Sequence, residues 1–123
     1  MQDKKKFYIN GKWIDPVKER DCFVINPSTE ENCAVISIGG KDDVDAAVQA
    51  AKKAFESWAF TSKEERLKLL ETLYANYKKR WADFANAITI EMGAPKDFAT
   101  KLQAGTGASH TKSFIRYLKE FEF

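Results

Sequence analysis

The sequence has a single histidine, two cysteines and three prolines, and it lacks any run approaching the roughly 18 apolar residues that a spanning helix needs. Each shortage excludes something. One histidine, His110, rules out a multi-histidine metal cage. Cys22 and Cys33 are too few for a disulfide framework and lack the close spacing of zinc ligands, so both are expected as free thiols. Charge of one sign is also missing: 20 Lys and Arg stand against 18 Asp and Glu, for a net +2. Such a balance gives no field to hold nucleic acid or an acidic membrane surface, so neither is an expected partner. The N-terminal MQDKKKF is basic but no apolar stretch follows it, and a cytoplasmic protein is expected. No GxGxxG, GxxxxGK(S/T) or GxSxG motif occurs; Gly105 and Gly107 form only a GxG within a helical run.

What is present suffices for one domain with a core: 123 residues, of which 44% are hydrophobic. Phe7-Tyr8-Ile9 and Lys12-Trp13-Ile14 flank Asn10-Gly11, two residues that accept the positive φ of a type I′ turn, so this segment predicts a β-hairpin. Cys22–Ile25 and Cys33–Ile38 form a second pair of strand-like runs, separated by the polar, proline-containing stretch Asn26–Asn32. Two small ribbons bury too little apolar area to stand alone and need something to pack on.

From Asp42 the apolar period becomes helical, with Val44, Ala47, Val48, Ala51, Ala54, Phe55 and Trp58 on one stripe. Asp42 or Asp43 is expected to cap this helix after the flexible Gly39-Gly40. Ser62 and Glu65 fit a capping box that starts a second helix, whose stripe contains Leu67, Leu70, Leu73, Tyr74, Tyr77 and Trp81. Both stripes are read as core faces. Phe84, Ala85, Ile88 and Met92 continue helically to a stop at Gly93 and Pro95, with a break near Lys79–Asp83 left open. A last helical segment runs from about Pro95 to Glu120, carrying Phe98, Leu102, Phe114, Tyr117, Leu118 and Phe121. Its interior glycines are read first as sites of close helix packing and second as room for a ligand. The fold class is therefore α+β: two N-terminal β-hairpins, then three to four amphipathic helices.

The order Phe7–Trp13, Ile25-Asn26-Pro27-Ser28-Thr29-Glu30, Asp42–Trp58, Ser62–Arg66 and Glu91-Met92-Gly93-Ala94-Pro95 resembles the N-terminal portion of the NAD(P)-dependent aldehyde dehydrogenase superfamily. The resemblance implies that residues 1–123 are the N-terminal part of an α/β, Rossmann-like cofactor-binding domain, with a β-hairpin region over 1–38 and a helical region over 39–123. It implies a parent enzyme that oxidises an aldehyde to an acid through a cysteine thiohemiacetal and thioester, with NAD or NADP. Catalytic and cofactor-binding residues then lie outside this chain, neither Cys22 nor Cys33 matching the nucleophile's motif. The chain alone is expected to bind no cofactor and to be inactive, and the parent to be a homodimer or homotetramer.

Two groups of site residues follow from the same resemblance. Glu91, with the carbonyls of Val24 and Ile25, matches positions that hold a structural monovalent cation. The stretch Gly105–Ser113 matches a helix lining the substrate tunnel, with Thr106 and His110 facing inward if Arg116 and Tyr117 hold register. A reading from a different class is a catalytically inactive, stand-alone helical interaction module whose apolar stripes bind a partner.

Overall fold

Asn10 and Gly11 both have positive φ, 52° and 76°, the backbone conformation these two residue types accept in a tight turn. In the computed structural model, which describes Met1–Phe123, the chain divides into two units, Met1–Phe60 and Thr61–Phe123. The first contains strands β1 (Gln2–Lys4), β2 (Phe7–Ile9), β3 (Lys12–Ile14), β4 (Asp21–Asn26) and β5 (Glu31–Ser37), followed by helix α1 (Lys41–Trp58). The predicted first hairpin is the antiparallel pair β2–β3, with Tyr8 opposite Trp13 and their rings 5.2 Å apart. The second is β4–β5, paired from Asp21–Ser37 to Asn26–Glu31 with a shift in register between Val24 and Ile25.

One strand has no counterpart in the sequence reading. β1 runs parallel to β5, Gln2 beside Ala34, making a three-stranded sheet of order β1-β5-β4. Its exposed residues Gln2, Asp3 and Lys4 show no alternation, and charge is what natural edge strands use to discourage further pairing.

Gly40 is the N-cap of α1, and Asp43 rather than Asp42 supplies the capping carboxylate from the first turn. The Asp43 carboxylate accepts the amide of Gly40 at 2.8 Å and that of Val17 at 2.9 Å, tying the β3–β4 loop to the helix start. Arg20 closes the other side of this junction, donating from its guanidinium to the carbonyls of Ile38 and Gly39. The α1 stripe lies on one face, but Val44, Val48, Phe55 and Trp58 are exposed. Within this chain the stripe is uncovered.

The second unit contains α2 (Lys63–Lys79), α3 (Trp81–Met92), a short turn α4 (Lys96–Phe98), a π-helical turn (Ala99–Gln103) and α5 (Ala104–Glu120). The predicted capping box closes α2: Ser62 Oγ accepts the Glu65 amide at 3.1 Å and the Glu65 carboxylate accepts the Ser62 amide at 3.1 Å. The open question near Lys79–Asp83 resolves as a break at Arg80 (φ −103°, ψ 17°). Gly93, at φ 71°, ends α3 in the left-handed cap its sequence predicts. The segment expected from about Pro95 to Glu120 is helical without interruption from Lys96 to Glu120, with a π turn inside it that the sequence did not signal, and Phe98, Leu102, Phe114, Tyr117 and Phe121 are exposed.

The buried apolar residues are Ala34, Val35, Ala85, Ala94, Ala99, Ala104 and Ala108, and no large side chain is fully enclosed. The accessible surface is 9547 Å² for 14.0 kDa. A self-sufficient globule of this mass exposes about 6,700 Å², and even two separate bodies of half the mass would expose only about 8,100 Å². The chain thus carries more open surface than a finished fold of its size.

Candidate functional site

The stretch that the sequence singles out, Gly105–Ser113, lies in α5. Thr106 and His110 are one helical turn apart and both exposed. They continue a line of exposed residues, Phe98 and Leu102 before them and Phe114 and Tyr117 after. The opposite face holds the buried Ala104 and Ala108. Thr106 Oγ1 donates to the Leu102 carbonyl at 3.1 Å, which fixes its hydroxyl against the helix. The resulting surface is apolar and aromatic, with one imidazole and one hydroxyl at its centre.

Backbone geometry upstream of this face is set from α2 and α3. The Ala104 amide reaches back five residues to the Ala99 carbonyl, passing over the Thr100 carbonyl that an α-helical turn would give it. The Trp81 indole N–H takes that Thr100 carbonyl at 2.9 Å. One turn away, the Tyr77 hydroxyl donates to the Ala104 carbonyl at 2.8 Å. Tyr77 packs edge-on against Trp81, centroids 6.1 Å apart, and stacks on Phe84 at 4.2 Å. Sequence reasoning treats Tyr77 and Trp81 only as apolar stripe positions. Their polar atoms were the available signal, because a packed Tyr O–H or Trp N–H usually finds an acceptor.

The second candidate group is spread along the chain. Val24 and Ile25 belong to β4 in the first unit, at the shift in register, and the Val24 carbonyl accepts the Cys33 thiol at 3.2 Å. Glu91 belongs to the second unit and is exposed in the last turn of α3. A carboxylate there sits at the negative end of the helix dipole, where a cation rather than an anion is favoured. No group of three or more His, Cys, Asp or Glu side chains is arranged to hold a metal ion.

Charged side chains gather elsewhere without making a site. Lys5 pairs with Asp21 at 3.0 Å and Glu19 at 3.8 Å. The hydrogen bond to Asp21 holds the Lys5 ammonium above its ordinary pKa, the charges of Asp21, Glu19 and Asp3 adding to it and burial opposing it. The Asp43 carboxyl is held below its ordinary value, first by the Val17 amide, then by the Gly40 amide and the charge of Arg20, with burial opposing. Both are structural pairings. Cys22 and Cys33 are free thiols, each half-buried. No helix is long and apolar enough to cross a membrane.

Comparison with known proteins identifies the family. Residues 13–122 match the model of the aldehyde dehydrogenase family. A 3-succinoylsemialdehyde-pyridine dehydrogenase from a Pseudomonas species is 42% identical over 124 aligned residues, covering 100% of this chain and 26% of its own. An aldehyde dehydrogenase crystal structure from Bartonella henselae is 53% identical, with a TM-score of 0.98, over 100% of this chain and 26% of that one. A mutant aldehyde dehydrogenase C from Pseudomonas syringae, complexed with NAD+ and octanal, is 36% identical with a TM-score of 0.94, over 97% of this chain and 24% of that one. The chain thus spans about a quarter of the length of the relatives it matches.

Proposed function

Because the chain belongs to the aldehyde dehydrogenase family, we propose that it is the N-terminal part of an enzyme that oxidises an aldehyde to the carboxylic acid with NAD+ or NADP+. The observation that carries this reading is the open surface. The stripe of α1, the outer face of α5 and the 9547 Å² total are what remain when a fold is shown without the elements that cover it. In the whole enzyme, the thiolate, the base and the cofactor turn come from other segments. Residues 1–123 then contribute scaffold and part of the cofactor-binding domain, with strands and α1 over 1–60 and helices over 61–123. The exposed face of α5, through Thr106 and His110, forms part of the wall that an aldehyde passes.

The relative complexed with NAD+ and octanal supports both a nicotinamide cofactor and an aldehyde substrate for the parent. The Glu91 carboxylate would give an oxygen ligand to a monovalent cation, as the Val24 and Ile25 carbonyls would on their own strand. We place the parent in the cytoplasm as a homodimer or homotetramer. The test is the intact mass of the protein beside the length of its reading frame. A mass near 14.0 kDa from a frame that ends at Phe123 overturns this reading and favours an interaction module. A frame that continues through a cysteine nucleophile supports it, followed by assay of aldehydes with both cofactors.

A further inference from the structure

Ala99 and Ala104 are both completely buried, at 0% exposure, although five residues separate them. In an α-helix that spacing turns the second side chain about 140° from the first, so both cannot face the same neighbour. The π turn over Ala99–Gln103 removes the conflict by adding a residue to one turn. The same added residue acts on the opposite face. Phe98 and Leu102 come before or within the turn and Thr106 and His110 after it, and all four emerge on the exposed side. Without it, Phe98 would lie about 120° around the helix from His110.

A π turn is a costlier arrangement than continuous α-helix and persists where something holds it. Here the Trp81 N–H occupies the carbonyl that the turn passes over, and the Tyr77 O–H holds the first carbonyl of α5. We propose that Trp81 and Tyr77 are positioning residues for the aldehyde: by holding the π turn they bring Phe98 into phase with Thr106 and His110, so that it joins Leu102 on one substrate-facing stripe. The inference rests on the reading that this face of α5 meets the aldehyde. Neither aromatic is placed to touch substrate, since their polar atoms are taken by backbone carbonyls, Trp81 on Thr100 in the π turn and Tyr77 on Ala104 of α5.

The experiment uses the full-length enzyme carrying this chain, with Trp81→Phe and Tyr77→Phe, each keeping a ring and losing the donor. KM and kcat are measured for propanal, octanal and benzaldehyde, beside the affinity for NAD+. A positioning role raises KM for octanal and benzaldehyde by about tenfold, given that a displacement of about 1 Å can cost a hundredfold. It leaves kcat for propanal and the affinity for NAD+ unchanged. Unaltered KM values for all three aldehydes, or an equal loss on all three together with weaker NAD+ binding, overturn it. Thr106→Trp separates the two claims. If that variant changes the KM for octanal while the aromatic variants do not, the face is correct and the positioning role is wrong. If Thr106→Trp also changes nothing, the face does not meet the aldehyde and the proposal falls with it.

Discussion

The hydroxyl of Tyr77 lies 2.7 Å from where a β-carbon at Gly107 would stand, with the ring carbons behind it at 3.0 and 3.2 Å. No real β-carbon tolerates such an approach, so glycine at 107 is the condition for the Tyr77–Ala104 hydrogen bond. Gly105 is different: a β-carbon there meets Trp81 at an ordinary 3.8 Å. Of the two interior glycines, only Gly107 is required by close helix packing.

Gly107→Ala is therefore expected to destabilise the protein by about 1–3 kcal/mol through overpacking. Gly105→Ala should be neutral or slightly stabilising, since alanine is the better helix former. Denaturant midpoints of the two variants check this, and equal midpoints would show that Tyr77 can move aside freely.

Acid stability should depend on Asp43. Its carboxyl has a depressed pKa in the folded chain, because the charged form accepts the Val17 and Gly40 amides. A depressed folded value contributes stability that is present above the unfolded pKa, about 3.9, and is lost as pH falls through the folded one. Asp43→Asn should lower the thermal midpoint at neutral pH and flatten its fall below about pH 4. A variant whose acid limb matches the parent's would remove Asp43 from that role.

The 123-residue chain alone should form no NADH or NADPH from propanal, octanal or benzaldehyde, whichever nicotinamide cofactor is supplied. Absorbance of the reduced cofactor is the measure. Turnover by material free of longer protein would place catalytic groups inside these residues.

Substituting potassium by tetramethylammonium should lower the thermal midpoint of the full-length enzyme, because an ion that binds only the folded state stabilises it by mass action. Glu91→Gln should abolish the difference. A difference of the same size in the variant would show that Glu91 holds no cation.

Local features were legible because a few adjacent residues determine them. Asn10-Gly11 specifies its turn, Ser62 with Glu65 its capping box, and Gly93 its left-handed stop. Burial was not. The stripe of α1 has the period of a core face, but whether Val44 and Phe55 are covered depends on residues that are not their neighbours in sequence. β1 was invisible for the opposite reason: its residues carry no pattern, and only the β5 edge beside them makes Gln2–Lys4 a strand. The π turn was hidden because Ala-Thr-Lys-Leu-Gln reads as ordinary helix. Its signature was the five-residue step between buried alanines, which no periodicity of large side chains reports. Thr106 and His110 on the α5 face are marked by resemblance to a family, whereas the polar contacts of Tyr77 and Trp81 with the neighbouring backbone exist only in the folded chain.

The alanine interior reverses the usual direction of mutational damage. In most domains the costly change trims a large enclosed side chain and leaves a void. Here no large side chain is fully enclosed, and the buried positions of these helices are alanines, Ala99, Ala104 and Ala108, where added carbon is expected to overpack. Drift in this segment is constrained by an upper limit on size: its helices can exchange what they show to the outside far more freely than they can admit one more methyl group within.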